Sequence, residues 1–91
     1  MAITVINTHK VADFSKWKEG FEAGATMRKQ AGILITGVFQ HAEDANEVTV
    51  ISEFPDLETA KAIVSSPGMR ETMQKSGAIE EPRITFLTSI N

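Results

Sequence analysis

Apolar and polar residues alternate in four segments of the chain, and this alternation is typical of half-buried β-strands. The segments are rich in Ile, Val and Thr and cover residues 2–9, 33–41, 46–54 and 83–90. Two further segments carry apolar residues three or four positions apart, which predicts amphipathic helices. The first begins at Asp13 or Ser15 and ends near Gly32, and the second covers residues 56–66. The predicted element order is therefore β-α-β-β-α-β.

Each predicted helix has an apolar stripe that should pack against the sheet. The stripe residues are Phe14, Trp17, Phe21 and Ala25 in the first helix and Leu57, Ala60, Ile63 and Val64 in the second. A proline then follows the second helix, and Pro67 is expected to start a further turn that runs through residues 69–75 toward the last strand.

The second and third strands are joined by the short stretch "AEDA", so they are expected to form an antiparallel hairpin. Residues directly opposite each other in a hairpin point to the same side of the sheet. The expected pairs are His41 with Asn46, Phe39 with Val48, Gly37 with Val50, Ile35 with Ser52, and Ile33 with Phe54. This register places Phe39 on the side that carries the helices.

This order of elements predicts a ferredoxin-like α+β fold, a four-stranded antiparallel sheet with both helices on one face. A single domain is expected over residues 1–91, because a chain of this length holds one modest core. The opposite sheet face should carry Thr together with Ile, Leu and Val, and Val38 is among its expected members. Such a surface is too apolar to stay exposed, which favours a homodimer formed through the sheet faces.

Composition and charge exclude several classes of function. The net charge is -3 and Lys and Arg are scattered, so no basic patch for nucleic acid is expected. The chain has no cysteine, and no His or carboxylate pair has the spacing of a metal site. No apolar run approaches the ~18 residues of a membrane span, and a cytoplasmic protein is expected.

Three stretches resemble one known group of proteins: "VADFSKWKEGFEAGATMRKQAG", "GVFQHAEDANEVTVISEF" and "SEFPDLETAKAIVSSPGMRETM". They are similar to the small antibiotic biosynthesis monooxygenase-like members of the dimeric α/β barrel superfamily. The resemblance implies a homodimer and a cofactor-free oxidation of a small apolar or aromatic substrate between sheet and helices. Many relatives carry a histidine three residues after an alanine of the second helix. Here Ile63 follows Ala60, which argues against haem chemistry.

The candidate site residues lie on the first strand and the helix stripes. Asn7 and His9 share the helix-facing side of the first strand and are the candidate catalytic pair, since they could orient a substrate carbonyl or enolate and a histidine can act as a base. The candidate substrate-binding residues are Trp17, Phe21, Phe39 and Ile63.

Each assignment has a structural alternative. His9 could be a solvated residue at a strand end, and Trp17 could serve only to pack the core. Two hypotheses of function follow: a cofactor-free monooxygenase-like enzyme, or a non-catalytic dimeric small-molecule-binding or stress-related module.

Overall fold

The computed structural model describes residues 2–65 and 82–90 of the chain. Its elements are β1 (Ile3–Lys10), α1 (Phe14–Ala23), α2 (Ala25–Gln30), β2 (Leu34–His41), β3 (Asp44–Phe54), α3 (Leu57–Val64) and β4 (Arg83–Thr88). The turn expected after Pro67 lies outside the described residues.

The four strands form one antiparallel sheet in the order β2-β3-β1-β4. The helices pack on one of its faces, which makes the fold ferredoxin-like α+β. The predicted order of strands and helices is therefore confirmed, except that two short helices replace the single first helix.

Aspartate side chains set the first residues of both longer helices. Oδ1 of Asp13 accepts hydrogen bonds from the backbone N–H of Ser15 at 2.9 Å and of Lys16 at 3.4 Å. Oδ1 of Asp56 accepts a bond from the Thr59 N–H at 2.7 Å. Because the first N–H groups of a helix lack partners within it, these carboxylates fix where each helix begins. Asp13, and not Ser15, is thus the cap of α1.

The first helical segment breaks at Gly24 and ends at Gly32. The Gly24 N–H donates to the Phe21 carbonyl at 3.2 Å, a bond of the tighter i to i+3 kind, and the chain restarts as α2. Gly32 has φ 79°, a left-handed conformation that favours glycine and ends α2 as predicted.

The predicted hairpin register is wrong beyond Ile35. Ile35 does pair with Ser52, but Gly37 pairs with Ile51 and Phe39 with Thr49. Thr36 has no partner residue in β3, so it forms a β-bulge in β2. Its Oγ1 donates a hydrogen bond to the Ile51 carbonyl at 3.1 Å. The bulge shifts the register by one residue and so exchanges the faces of the residues that follow.

The hairpin turn is also shorter than expected. His41 pairs with Asp44 and not with Asn46, so two residues replace the predicted four-residue connection. Because of the bulge at Thr36, Val38 lies on the helix-facing side, opposite Val50, and not on the outer face as predicted. Phe39 lies on the outer face of the sheet.

The core lies between the sheet and the helices in two adjoining clusters. One cluster centres on Ile3, Val5, Ile33 and Phe54 against Ala60 of α3, with Ile63 and Val64 at its margin. The other centres on Val11, Val48 and Val50 against Trp17 of α1, with Phe14 and Phe21 at its margin. A cavity lies in the space between the two clusters.

Candidate functional site

A cavity of about 130 Å³ lies between the helix-facing side of the sheet and the helices. An apolar cavity of comparable size, about 150 Å³, is known to accommodate one benzene molecule. The side chains around it are mostly apolar or aromatic, and a few are polar: Val5, Asn7, His9, Trp17, Gly20, Phe21, Gly24, Met27, Arg28, Ile33, Ile35, Val50, Ser52, Phe54, Val64 and Ile84. Its size and lining therefore suit a ligand with about one aromatic ring.

Asn7 and His9 meet at the wall of this cavity. They are two residues apart on β1, so their side chains leave the same side of the strand. Nδ1 of His9 lies 3.2 Å from Oδ1 of Asn7, within hydrogen-bond distance. Because an amide oxygen only accepts hydrogen bonds, Nδ1 carries the proton in this pairing. The neutral imidazole then has an unprotonated Nε2.

His9 is buried, with 3% of its surface exposed, so it is not the solvated strand-end residue of the alternative. Its Nε2 has no hydrogen-bond partner among the residues that the structure describes. Burial lowers the pKa of His9 from its ordinary value of 6.5, because desolvation disfavours the charged imidazolium. His9 is therefore neutral at physiological pH and presents a free lone pair beside the cavity.

Aromatic rings of α1 form the opposite wall. The indole of Trp17 stacks on the Phe21 ring, with centroids 5.1 Å apart and planes at 24°. The same indole meets the His9 ring edge-on at 5.9 Å. Trp17 is 4% exposed and belongs to the core as well as to the cavity lining. Packing and ligand contact are thus compatible roles for one side chain.

Arg28 also lines the cavity, and sequence reasoning missed it. Its Nη2 donates to the Phe21 carbonyl at 2.6 Å, and its guanidinium carbon lies 4.0 Å above the Phe21 ring. Burial lowers the pKa of Arg28 from its ordinary value, yet a guanidinium stays charged at neutral pH. The sequence did contain one indication of this position. Arg28 comes seven residues, or about two helical turns, after Phe21, so it continues the aromatic stripe of the predicted first helix.

The sequence matches no protein-family model and no curated protein sequence. Among solved structures, a candidate antibiotic biosynthesis monooxygenase from Bordetella bronchiseptica has a TM-score of 0.81 at 12% identity, covering 99% of this chain and 98% of its own. A second such candidate, from Caulobacter crescentus, has a TM-score of 0.76 at 17% identity, with coverage of 99% and 91%.

SnoaB from Streptomyces nogalater, a cofactor-independent oxygenase, has a TM-score of 0.73 at 12% identity, with coverage of 99% and 94%. The chain has the fold of the antibiotic biosynthesis monooxygenases. The predicted resemblance is confirmed at the level of the fold. At these identities the reaction must be argued from the site itself.

Four of the six candidate residues line the cavity: Asn7, His9, Trp17 and Phe21. Phe39 does not, because the bulge at Thr36 turns it to the outer face, where 52% of it is exposed. Ile63 is also absent from the cavity lining and packs against the core cluster of β1 and α3. Its neighbour Val64 reaches the cavity instead. The helix-facing placement predicted for Phe39 is therefore wrong, whereas Ile63 lies in the predicted stripe of α3 and its substrate-binding role stays a prediction.

A second polar group lies on the outer face of the sheet. Glu47 bonds Arg83 at 2.7 Å and His41 at 3.1 Å, and the other imidazole nitrogen of His41 lies 3.0 Å from Oγ1 of Thr49. Thr49 in turn bonds Thr8 at 2.9 Å. These contacts give His41 partners on both nitrogens, in contrast to His9.

In residues 2–65 and 82–90, no group of three or more His, Cys, Asp or Glu side chains could hold a metal ion. In the same ranges no helix has the length and hydropathy needed to cross a membrane.

Proposed function

We propose that this protein carries out a cofactor-free oxidation of a small aromatic substrate in the cavity between the sheet and α1. The observation that carries the proposal is the buried His9, whose Nε2 has no partner among the described residues and whose ring lines an otherwise mostly apolar cavity. An unpaired polar atom in such a place is costly, and buried polar groups normally have partners. A bound substrate hydroxyl would supply the missing donor.

In the proposed reaction, Nε2 of His9 takes the proton of a phenolic hydroxyl. Asn7 holds the imidazole in the required tautomer through its bond to Nδ1, as a positioning residue. The resulting aryloxide is far easier to oxidise than the phenol. For a quinol, two electrons then pass to dioxygen with two protons, one from Nε2 of His9 and one from the second hydroxyl, which gives the quinone and hydrogen peroxide and restores neutral His9. Because the substrate is the reductant and dioxygen the oxidant, no cofactor has to supply electrons.

The aromatic wall supports the same proposal. Trp17 and Phe21 offer ring faces against which a flat substrate can stack, and aromatic pairs prefer such offset contacts. The low polarity of the lining would also strengthen the interaction of His9 with a developing anion. Base, aromatic wall and cavity size together favour a phenol or quinol with about one ring.

The test is oxygen consumption with a panel of single-ring and two-ring quinols, using protein treated with chelator and corrected for spontaneous oxidation. We expect protein-dependent oxygen uptake with hydrogen peroxide formation, falling by about 10²-fold or more in His9→Gln, which is the range that general bases contribute. His41→Gln on the outer face is the matched control and should keep the activity. Equal rates for wild type and His9→Gln would contradict the proposal.

The second candidate is a non-catalytic binding module. It is favoured by one observation: among the described residues that line the cavity, His9 and Arg28 are the titratable groups, and no carboxylate joins them as an acid partner. Saturable binding of quinols without oxygen uptake in any member of the panel would favour this candidate.

The homodimer expected from the sequence is also proposed here. The outer face of the sheet carries the half-exposed or exposed side chains of Leu34, Phe39 and Leu87, an apolar surface that a second copy would cover. Sedimentation should then report a dimer at micromolar concentration, and a monomer would contradict it. The cytoplasmic location and the single domain over residues 1–91 stay predictions.

A further inference from the structure

Arg28 is a cation with unused hydrogen-bond capacity at the cavity. A guanidinium has five N–H donors, and the Phe21 carbonyl accepts a hydrogen bond from Nη2 alone. Within residues 2–65 and 82–90, no carboxylate lies within 4.0 Å of it, whereas the other arginine of that part of the chain, Arg83, is bonded to Glu47. Partly buried arginines normally face an anion, and this one faces the cavity.

The helix break explains how Arg28 is held there. Because α1 ends before Gly24, the Phe21 carbonyl accepts from the Gly24 N–H in place of a regular helical bond and uses its second lone pair to accept from Arg28. Gly24 also leaves the space that the guanidinium occupies, since a Cβ at this position would lie 2.9 Å from Nη1. The Phe21 ring below supports the planar cation. These two contacts, together with the space left at Gly24, hold the guanidinium against the cavity before any ligand binds.

We propose that Arg28 makes the cavity selective for aromatic acids, with the guanidinium binding a carboxylate of the ligand while its ring lies against Trp17 and Phe21. This inference rests on the proposed function and names its substrate class. A planar guanidinium matches a carboxylate with two parallel hydrogen bonds, which lysine cannot reproduce. A purely structural Arg28, serving only to cap α1, would show no preference between an acid and its neutral analogue.

The experiment compares phenylacetate with phenylacetamide, which have nearly the same shape and differ in charge. The reporter is the indole N–H resonance of Trp17, the single tryptophan of the chain, followed by NMR during titration. We expect wild-type protein to bind the acid at least about ten-fold more tightly than the amide, which corresponds to about 1.4 kcal/mol. Added salt should weaken the acid more than the amide.

Variants assign the preference to Arg28. Arg28→Gln should bind the two compounds equally, and its binding of the amide shows that the cavity is intact. Arg28→Lys should keep part of the preference, because the charge remains without the planar fork. Lys29→Gln is the matched control, since it removes the same charge from the next residue of α2, outside the cavity, and should behave as wild type.

The outcomes separate this inference from the proposed function. Equal affinity of wild type for acid and amide overturns the role of Arg28 and leaves the aromatic cavity and His9 unaffected. A preference that survives in Arg28→Gln also overturns it. Binding of neither compound, with no change of the indole resonance, overturns this inference, whereas the proposed function is tested separately by oxygen uptake with quinols, which carry the hydroxyl that both probe compounds lack.

Discussion

Replacing His9 by leucine should stabilise the folded protein while abolishing the proposed reaction. Leucine is close to histidine in size and needs no hydrogen-bond partner, so it suits a position that is 3% exposed. A buried polar atom without a partner costs about 1–3 kcal/mol, and the hydrogen bond to Asn7 contributes about 0.5–1.5 kcal/mol. The edge-on contact with Trp17 would also be lost, but leucine buries more apolar surface.

The balance predicts a gain of about 1 kcal/mol in the free energy of unfolding at neutral pH, or a rise of roughly 4–8 °C in Tm for a domain of this size. Residues that serve a reaction often reduce stability in this way. The measurement is urea unfolding of wild type and His9→Leu at one fixed protein concentration, because a dimer would make the midpoint depend on concentration.

The pH dependence adds a second readout. The pKa of His9 is lowered in the folded protein, so below about 6.5 the unfolded chain binds the proton more readily than the folded one. The contribution of His9 to the wild-type free energy of unfolding should therefore fall as pH decreases from 6.5 to the lowered pKa, and it should level off below that pKa. His9→Leu should decline less steeply across this window.

The control is His41→Leu, which removes the other histidine together with its bonds to Glu47 and Thr49. It should lower the stability, because those partners lose their contacts. Loss of more than about 1 kcal/mol in His9→Leu would refute the reasoning, since it would mean that His9 is a satisfied structural residue of the core.

Three further predictions follow from other contacts. Gly24→Ala should displace the Arg28 guanidinium, whose Nη1 would lie 2.9 Å from the new methyl group, and titration with phenylacetate should show a reduced acid preference. Phe39→Ser should leave the stability of the monomer almost unchanged, because the side chain is 52% exposed, but should raise the dissociation constant of the dimer in sedimentation equilibrium. Asp56→Ala should lower the stability at neutral pH, because it removes the hydrogen bond from the Thr59 N–H to the Asp56 carboxylate. That bond lowers the pKa of Asp56 below 3.8, so the difference in unfolding free energy between wild type and variant, measured by urea unfolding, should shrink as pH falls below that value.

Local patterns were enough to predict most of the fold and part of the candidate site. The alternation of β1 places Asn7 and His9 on the helix-facing side, and the stripe of α1 brings Trp17 to the same space. These inferences need only the period of each element. The burial of His9 could not be obtained in this way, because it depends on the helix packed over it.

Local deviations from regular geometry explain why the faces of two β2 residues and the length of the first helix were predicted wrongly. The single extra residue at Thr36 exchanged the faces of Val38 and Phe39, and nothing in the alternating pattern of β2 indicates a bulge. Gly24 is tolerated inside many helices, so its use as a break was not predicted, and the role of Arg28 depends on that break. In the sequence, Arg28 is one of several scattered cations. Only the tertiary structure shows that no carboxylate of the described residues pairs with it.

The most direct test of the central claim is ¹⁵N NMR of the His9 imidazole in protein labelled at histidine. His41→Gln identifies the signals, because the chain contains two histidines. We predict a neutral ring at pH 7 with the proton on Nδ1, and a shift of the Nε2 resonance when a quinol binds, as its hydroxyl donates to that nitrogen. A proton on Nε2 in the free protein, or an Nε2 resonance unchanged at saturating ligand, would contradict the assignment of His9 as the base.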